Sequence, residues 1–289
     1  MKIITTIAEV RAIVKEWRRA GETVGFVPTM GYLHEGHASL ISRAVADNDH
    51  VVVSTFVNPT QFGPTEDLEA YPRDEARDAA LCEGMGADIM FRPDPAEMYN
   101  NPKVSVVVND MNEHLCGLSR PIHFHGVCTV VTKLFNIVTP DTAYFGEKDA
   151  QQLAIIRKMV QDLNMPLEIV GCPIVREADG LAKSSRNTYL SSTEREAALC
   201  LSRSIFYGQE QIKAGMRAND LEQAMKEIIA KEPLARIEYV KVVDALTMND
   251  IEIIDRPVLI AVAVYIGKTR LIDNFSFDPK INTTPSKNK

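Results

Sequence analysis

Cysteine is scarce in this chain of 289 residues and follows no recognisable pattern. The five cysteines lie far apart and form no CxxC pair: Cys82, Cys116, Cys128, Cys172 and Cys200. An odd number of widely spaced cysteines argues against a disulfide framework and against a zinc ribbon. The spacing predicts buried, reduced thiols in a cytoplasmic protein.

Long apolar runs and an excess of basic residues are also missing. No apolar run approaches the roughly 20 residues that a membrane-spanning helix needs. The N-terminal segment lacks the apolar core of a signal peptide and is typical of a folded helix. Acidic residues number 39 against 32 basic ones, so the basic stripe of a nucleic-acid surface is not expected. We expect a cytoplasmic protein without a nucleic-acid or membrane partner, although a few local cations could still bind small anionic substrates.

The first 175 residues alternate between strand-like and helix-like segments. The apolar segment His50–Val57 is typical of a parallel strand that is covered on both faces. A helix is predicted to begin near Thr6, whose spacing to Glu9 fits a capping box, and to end at Gly21. Other strands are predicted at 23–28, from 87, from 104 and at 141–145, and a buried helix at 128–138. This alternation predicts the α/β class, with a Rossmann-like doubly wound parallel sheet over residues 1–175.

The pattern changes after residue 176. Two amphipathic helices, at about Thr193–Ala214 and Asn219–Lys231, precede three segments that are typical of antiparallel strands. We expect a smaller α+β domain over residues 176–277, followed by a polar, disordered tail over residues 278–289.

The segment PTMGYLHEGH (Pro28–His37) follows one predicted strand and opens the next predicted helix. Its glycines allow close approach of a ligand, and a helix N-terminus offers free N–H groups to phosphate. His34 and His37 are three residues apart and share one face of the first turn, where two imidazoles could donate hydrogen bonds to phosphate oxygens. A capped helix with two ordinary polar residues remains the alternative. A metal pair lacks further ligands at suitable spacing.

The segment FVNPTQF (Phe56–Phe62) lies at the carboxyl end of a predicted strand, where ligands bind in open α/β sheets. Asn58 and Gln61 would present uncharged amides, which suit hydroxyl and carboxylate groups. An Asn-Pro turn with a solvated glutamine is equally compatible with this segment alone.

The segment FGEKDAQQ (Phe145–Gln152) again joins a strand, a glycine turn and a helix. Lys148 can reach a phosphate, and Asp149 can hold a magnesium ion, bind a ribose hydroxyl or cap the helix.

The segment VREADGLAKSSRNTYLS (Val175–Ser191) combines a turn with two hydroxyls and a fixed cation, Ser184, Ser185 and Arg186. Such a set suits phosphate, although a solvated serine-rich loop has the same composition. His123 and His125 alternate as on one face of a strand, which suggests a metal without supplying further ligands.

Six motifs occur together in the order seen in the pantothenate synthetase family: PTMGYLHEGH, FVNPTQF, YPR, HFHGV, FGEKDAQQ and GLAKSSRN. The chain resembles this family from Ile3 to Asn274. The HxGH element alone marks only the wider nucleotidylyltransferase superfamily, whereas FVNPTQF and FGEKDAQQ are specific to this family. The resemblance implies a Rossmann-like N-terminal domain, a smaller C-terminal domain that closes over the site, and a homodimer.

The resemblance also implies substrates and site residues. ATP, with Mg²⁺, would be bound by Met30, Gly31, Tyr32, Leu33, His34, Glu35, Gly36 and His37, by Gly146, Glu147, Lys148 and Asp149, near Val175, and by Lys183, Ser184, Ser185 and Arg186. Pantoate would be held by Gln61 and Gln152, and β-alanine would enter beside Gln61. His37 takes the position of a catalytic proton donor, with His34 beside it. Lys183 departs from the family, which commonly has an apolar residue there, and His125 stands at a variable position.

The implied reaction has two steps. The pantoate carboxylate attacks the α-phosphorus of ATP, giving pantoyl-adenylate and pyrophosphate, and the β-alanine amine then displaces AMP. His34, His37, Lys148, Ser184, Ser185 and Arg186 would stabilise the charge on phosphate oxygens. Two alternatives remain open: a nucleotidylyltransferase that acts on a phosphorylated substrate, and a nucleotide-sensing module without catalysis. A tRNA synthetase is disfavoured by the acidic charge and the lack of an anticodon-binding appendage.

Overall fold

The computed structural model describes residues 1–64 and 66–281, which fall into two compact units. Unit 1 comprises Met1–Glu147 and Gln152–Val175, and unit 2 comprises Lys148–Gln151 and the chain from Arg176 onwards. Each unit has its own sheet. The polar tail predicted over 278–289 lies outside the described residues from position 282.

Unit 1 is built on a six-stranded sheet in which all neighbouring strands are parallel. The strands are β1 (Lys2–Ile4), β2 (Val24–Thr29), β3 (His50–Thr55), β4 (Ile89–Phe91), β5 (Thr142–Gly146) and β6 (Glu168–Cys172), in the spatial order β1-β4-β3-β2-β5-β6. The residues of β3 from Val51 to Thr55 are buried, as expected for a parallel strand with both faces covered.

Helices connect these strands. They are α1 (Ile7–Ala20), α2 (Glu35–Asp47), α3 (Glu75–Gly84), α4 (Pro95–Met98), α5 (Cys116–Ser119), α6 (His123–Val138) and α7 (Ala150–Asp162). The ends of α1 follow from its sequence, because the Thr6 side chain accepts a hydrogen bond from the Glu9 N–H and Gly21 adopts a left-handed φ of 81°.

The strand order places a topological switch point between β2 and β5. From β2 the chain proceeds to β3 and β4 on one side, and it later returns to place β5 and β6 on the other. Ligands of open α/β sheets bind outside the carboxyl ends of the strands at such a point. In this chain the position is marked by the residues that follow Thr29.

Unit 2 contains a three-stranded antiparallel sheet with helices. The helices are α8 (Ser192–Ala197), α9 (Leu199–Gln211) and α10 (Ala218–Ile229), and the strands are β7 (Ala235–Asp244), β8 (Val258–Ile266) and β9 (Thr269–Phe277). Apolar side chains of α9 and α10, such as Leu201 and Leu221, pack with those of β7 and β8, such as Val240 and Val262, in one buried cluster. The predicted fold class, a doubly wound parallel sheet with a smaller α+β part, is confirmed.

Several local predictions are wrong. Lys2–Ile4 form a strand that was not predicted, and the predicted helix Thr193–Ala214 is divided into α8 and α9. The segment from Val104 is not a strand: Val104 is 84% exposed, and the Val106 N–H donates to the Thr129 hydroxyl at 3.0 Å. Its β-branched residues favour an extended backbone, but pairing with a neighbouring strand depends on tertiary context.

Candidate active site

A pair of histidines caps the N-terminus of α2. Nδ1 of His34, the N-cap residue, accepts a hydrogen bond of 3.1 Å from the Gly36 N–H. Nδ1 of His37 accepts one of 3.2 Å from the His34 N–H. Together they form a capping box built from imidazoles instead of the usual hydroxyl and carboxylate. The two rings are tilted by 41° to each other, with centroids 4.1 Å apart.

These hydrogen bonds determine the tautomer of both rings. A ring nitrogen that accepts a hydrogen bond carries no proton, so each neutral imidazole holds its proton on Nε2. His34 and His37 therefore both present an Nε2–H donor at the carboxyl end of β2. Two such donors at the positive end of a helix dipole suit an anionic group.

The loop that precedes the histidines has its backbone donors already paired. The Gly31 N–H donates to the Thr29 hydroxyl at 3.1 Å, and the Tyr32 and Leu33 N–H groups donate to the two carboxylate oxygens of Asp78, at 2.8 and 2.6 Å. These three N–H groups lie before the first turn of α2, and in that turn the Gly36 N–H donates to His34 Nδ1. The sequence-based expectation of free N–H groups is therefore wrong for these four residues, and the imidazoles of His34 and His37 are candidate side-chain donors to a phosphate.

Asp78 was not predicted as a functional residue. It lies on α3, and its carboxylate is buried. Desolvation raises the pKa of this carboxyl, and the two hydrogen bonds from Leu33 and Tyr32 oppose that effect only in part.

Asn58 and Gln61 meet directly beyond the carboxyl end of β3. Asn58 Nδ2 donates to Gln61 Oε1 at 3.0 Å and to the Gly126 carbonyl at 3.1 Å. Asn58 Oδ1 accepts from the Thr60 N–H at 3.3 Å and from the Tyr99 hydroxyl at 2.8 Å. Every polar hydrogen and the carbonyl oxygen of this buried amide are thus engaged within the protein.

Gln61 has a second contact, from Nε2 to the Met30 sulfur at 3.0 Å. The backbone carbonyl oxygen of Gln61 lies 3.1 Å from Nδ1 of His123. The close approach of α6 to this segment requires Gly126, since a Cβ there would come within 2.4 Å of the Thr60 carbonyl oxygen. Gly126 and Tyr99 are further residues that the sequence did not single out.

His123 and His125 do not lie on a strand, and that prediction is wrong. Both belong to α6, where residues two apart point in different directions. His125 Nε2 lies 3.2 Å from the Asn112 amide. Within residues 1–64 and 66–281, no group of three or more histidine, cysteine or acidic side chains is placed to hold a metal ion.

The end of β5 and the segment after it contain the FGEKDAQQ motif that the sequence analysis identified. Gly146 ends β5, and Glu147–Asp149 form a turn of 3₁₀ helix before α7. Lys148 Nζ lies 4.0 Å from an Asp149 carboxylate oxygen, and the Lys148 carbonyl accepts a hydrogen bond of 2.8 Å from Asn274 Nδ2. Gln152 is half-buried in the first turn of α7.

The loop that carries Lys183, Ser184, Ser185 and Arg186 is fastened inside unit 2. Arg176 makes two hydrogen bonds to the Asp273 carboxylate, at 2.7 and 2.9 Å, and a third to the Gly180 carbonyl. Ser184 caps a short 3₁₀ helix, Ser185–Tyr189, by accepting from the Arg186 N–H. Val175 is the last residue of unit 1 and is half-buried.

Glu177 joins both ends of this loop. Its carboxylate accepts from Asn187 Nδ2 at 3.0 Å and from Arg195 at 2.8 Å. Burial raises the pKa of the Glu177 carboxyl, but the hydrogen bonds from Arg195 and Asn187 outweigh it and hold the pKa below its ordinary value. Because the carboxylate is the stabilised form, these hydrogen bonds keep the loop in place at neutral pH.

Comparison with known proteins gives consistent matches. Residues 2–276 match the family model described as pantoate-beta-alanine ligase. The chain is 64% identical to the pantothenate synthetase of Ruminiclostridium cellulolyticum, with 96% of this chain and 100% of the relative covered. It is 55% identical to that of Clostridium acetobutylicum, with the same coverage of both chains.

Two solved structures also match the chain over nearly its whole length. Pantothenate synthetase from Thermus thermophilus superposes with a TM-score of 0.88 at 43% identity, covering 95% of this chain and 99% of that one. The pantoate-beta-alanine ligase from Francisella tularensis, solved in complex with beta-gamma ATP and beta-alanine, gives a TM-score of 0.78 at 34% identity, with 95% and 97% covered. Among the helices of the described residues, none has the length and apolar character needed to cross a membrane.

Proposed function

The chain belongs to the pantoate-beta-alanine ligase family and is an enzyme that ligates pantoate to β-alanine, and we propose that it does so through a pantoyl-adenylate formed from ATP. The observation that carries this proposal is the imidazole capping box of α2, which presents two Nε2–H donors at the switch point of the sheet. ATP as the substrate is supported by the nucleotide complex of the Francisella tularensis relative.

In the first step, the pantoate carboxylate attacks the α-phosphorus of ATP. The bond to the bridging oxygen breaks, and pyrophosphate leaves. We propose that His34 and His37 donate from Nε2 to phosphate oxygens, and that these hydrogen bonds strengthen as charge develops in the transition state. The residues Met30–His37 form this part of the nucleotide site.

Further groups for the nucleotide are proposed on two other segments of the chain. We propose that Lys148, Ser184, Ser185 and Arg186 stabilise charge on phosphate oxygens, because a fixed guanidinium and hydroxyl donors suit that task. The remaining nucleotide contacts proposed are with Gly146, Glu147, Asp149, Val175 and Lys183.

Magnesium is proposed as the companion of the nucleotide. Mg²⁺ usually binds through one or two carboxylates together with substrate phosphates, so a dedicated cluster of protein ligands is not required. The carboxylate of Asp149 is the proposed protein ligand for this ion. Bound Mg²⁺ would neutralise part of the charge on the phosphates.

Pantoate is proposed to lie against Gln61 and Gln152, whose amides suit its hydroxyls and carboxylate. Asn58 is proposed to act at this subsite by orienting Gln61, because its own amide is already fully hydrogen-bonded. In the second step the amine of β-alanine, which enters beside Gln61, attacks the acyl carbon, and AMP leaves. No protein nucleophile takes part.

The test is AMP release from Mg-ATP with pantoate, measured with and without β-alanine. The proposal expects AMP to accumulate over many turnovers only when both acids are present. It also expects pantoate to support exchange of labelled pyrophosphate into ATP without β-alanine, because adenylate formation is reversible. A product that retains the nucleotide would instead indicate a nucleotidylyltransferase and overturn the ligase mechanism.

We also propose that the enzyme is a homodimer located in the cytoplasm. All five cysteines are thiols, which suits a reducing compartment. Light scattering after size-exclusion chromatography tests the dimer, which should have twice the 32.1 kDa of one chain. A mass of one chain at micromolar concentration would contradict it.

A further inference from the structure

The carboxylate of Asp78 binds the loop that leads to the histidines. Asp78 lies on α3, is 3% exposed and comes more than forty residues after that loop in the chain. Its Oδ2 accepts from the Tyr32 N–H at 2.8 Å and its Oδ1 from the Leu33 N–H at 2.6 Å. A single carboxylate thus pairs with two successive backbone donors immediately before the N-cap.

The loop needs such a partner because its backbone is unusual. Gly31 and Tyr32 both lie in the left-handed region, with φ of 81° and 51°. Tyr32 carries a Cβ and is disfavoured there, so the surrounding structure must hold it in place. Successive N–H groups in such a turn form a concavity that binds an anion. Here the anion is supplied by the protein itself.

The side chain of Tyr32 is held by the same helix. The Arg77 guanidinium lies over the Tyr32 ring, 5.1 Å from its centroid. At Gly31, an added Cβ would come within 3.0 Å of Asp78 Oδ2. Residues 77 and 78 of α3 therefore contact the loop on both its ring and its backbone, and Gly31 leaves room for the carboxylate.

The position of His34 follows from this arrangement. Leu33 is fully buried and is fixed by Asp78 on one side of the N-cap, and Gly36 is fixed by His34 Nδ1 on the other. A shift of the 31–33 turn would therefore move the His34 backbone, whose N–H is the donor to His37 Nδ1. Both rings depend on the same turn.

We propose that Asp78 is a positioning residue for adenylate formation. By binding the turn of residues 31–33, it holds the His34 and His37 imidazoles where they can donate hydrogen bonds to the phosphates. This inference rests on the proposed function. In this role Asp78 acts through the turn that it binds and not by contact with the substrate. Its effect should be confined to the step in which pyrophosphate leaves, because the attack of β-alanine on the acyl carbon places no new charge on a pyrophosphate.

The test separates the two partial reactions in Asp78→Asn. The carboxamide keeps one acceptor oxygen but points an NH₂ group at the other backbone N–H. We expect pantoate-dependent exchange of pyrophosphate into ATP to slow by about 10- to 100-fold, the range that a displacement near 1 Å can cost. The release of AMP from supplied pantoyl-adenylate by β-alanine should stay within about twofold of the wild type, as should the KM for β-alanine.

The matched control is Asp74→Asn, at the N-cap of α3 and four residues before Asp78. Asp74 caps α3 by accepting from the Arg77 N–H, and asparagine serves equally well as an N-cap. It removes a negative charge close to Asp78 without touching the turn, and both partial reactions should remain at the wild-type rate. Gly31→Ala provides a second route if Asp78→Asn does not fold, because it displaces the turn while retaining the carboxylate, and it should give the same selective loss.

Two results would contradict the positioning role of Asp78, and a third would contradict the adenylate route itself. Wild-type pyrophosphate exchange in folded Asp78→Asn would overturn the proposal. An equal loss in both partial reactions, with a lowered melting temperature, would also overturn it and make Asp78 a stabilising residue only. Absence of pantoate-dependent exchange in the wild-type enzyme would instead refute the proposed adenylate route, which is therefore tested separately.

Discussion

Nδ2 of Asn58 donates a hydrogen bond of 3.0 Å to Oε1 of Gln61. This contact fixes which end of the Gln61 amide is the acceptor and directs its NH₂ group toward the Met30 sulfur. Sulfur is a weak acceptor, so this NH₂ group can donate to a better acceptor instead at little cost in free energy. A carboxylate or hydroxyl of pantoate is such an acceptor, and the Asn58–Gln61 pair is thus prepared to bind it.

Asn58→Ala should weaken pantoate binding and destabilise the fold together. Asn58 is 1% exposed, and its removal leaves Gln61 Oε1 without its hydrogen bond and takes one hydrogen bond each from the Gly126 carbonyl and the Tyr99 hydroxyl. Unpaired buried groups cost about 1–3 kcal/mol each, so the free energy of unfolding should fall by at least that amount. Steady-state kinetics should show the KM for pantoate rising by about tenfold, and urea denaturation should show the loss of stability.

Gln152→Ala is the matched comparison. Gln152 is half-buried in the first turn of α7, and the change should raise the KM for pantoate while leaving the free energy of unfolding within about 0.5 kcal/mol of the wild type. If Asn58→Ala altered stability but not pantoate KM, the orienting role of Asn58 would be wrong. An unchanged pantoate KM in Gln152→Ala would remove Gln152 from the subsite.

Capping and catalysis by His34 can be separated by two substitutions. Asparagine is a good N-cap, so His34→Asn should retain the hydrogen bond from the Gly36 N–H while losing the Nε2–H donor. Alanine should lose both. We expect kcat to fall in both variants by about 10²- to 10³-fold, the usual cost of one transition-state donor. Only His34→Ala should lose about 1 kcal/mol of stability.

His37→Ala should behave as an active-site variant with a small structural cost. It removes the acceptor for the His34 N–H and the second Nε2–H donor. Single-turnover formation of pantoyl-adenylate and thermal unfolding measure the two effects separately. Wild-type turnover in His37→Ala would defeat the assignment of this residue.

Local signals in the sequence account for one part of the site, and tertiary packing accounts for the rest. The strand, loop and helix around Pro28–His37 were predictable because the glycines, the histidine spacing and the apolar strand lie within one short segment. Asp78 was not, because nothing near it in the chain marks a buried acid as the partner of two distant N–H groups. The segment from Val104 shows the opposite error, because a strand was predicted there and none forms. Its β-branched composition does not reveal whether a neighbouring strand is present to pair with it.

The Glu66–Arg120 ion pair should make stability fall at acidic pH. Glu66 Oε2 accepts from Arg120 Nε at 3.0 Å, and both side chains are largely buried. Burial raises the pKa of the Glu66 carboxyl, but the hydrogen bond and the charge of Arg120, with smaller contributions from the Gly63 backbone and from His123, hold it below its ordinary 4.5. A depressed pKa in the folded state means that the stabilisation is complete above the unfolded pKa and is lost as the pH falls through the folded one.

Glu66→Gln tests this dependence. At pH 7 the variant should unfold with about 1–3 kcal/mol less free energy than the wild type, because Arg120 loses its charged acceptor. The difference should shrink as the pH falls below 4.5 and the wild-type carboxyl becomes protonated. Glu16→Gln removes an exposed ion pair with Arg19 and should change stability little at either pH. A Glu66→Gln difference that is independent of pH would contradict the assigned pKa shift.

Thiol reactivity should single out Cys116. Burial raises the pKa of the Cys82 and Cys128 thiols to about 12 and that of Cys200 to about 11, and it also raises the pKa of Cys172. Thiolate is the reactive form, so these four buried thiols should react with a disulfide reagent only after unfolding.

Cys116 differs from them because it is only partly buried in α5. Titration of the native enzyme with 5,5′-dithiobis(2-nitrobenzoate) should therefore show one fast equivalent, and titration in denaturant should show all five thiols. Cys116→Ser should abolish the fast equivalent, whereas Cys200→Ser should leave it unchanged and serves as the control. A fast equivalent that survives in Cys116→Ser would mean that one of the four buried thiols becomes accessible in solution, in conflict with the packing of the cores described above.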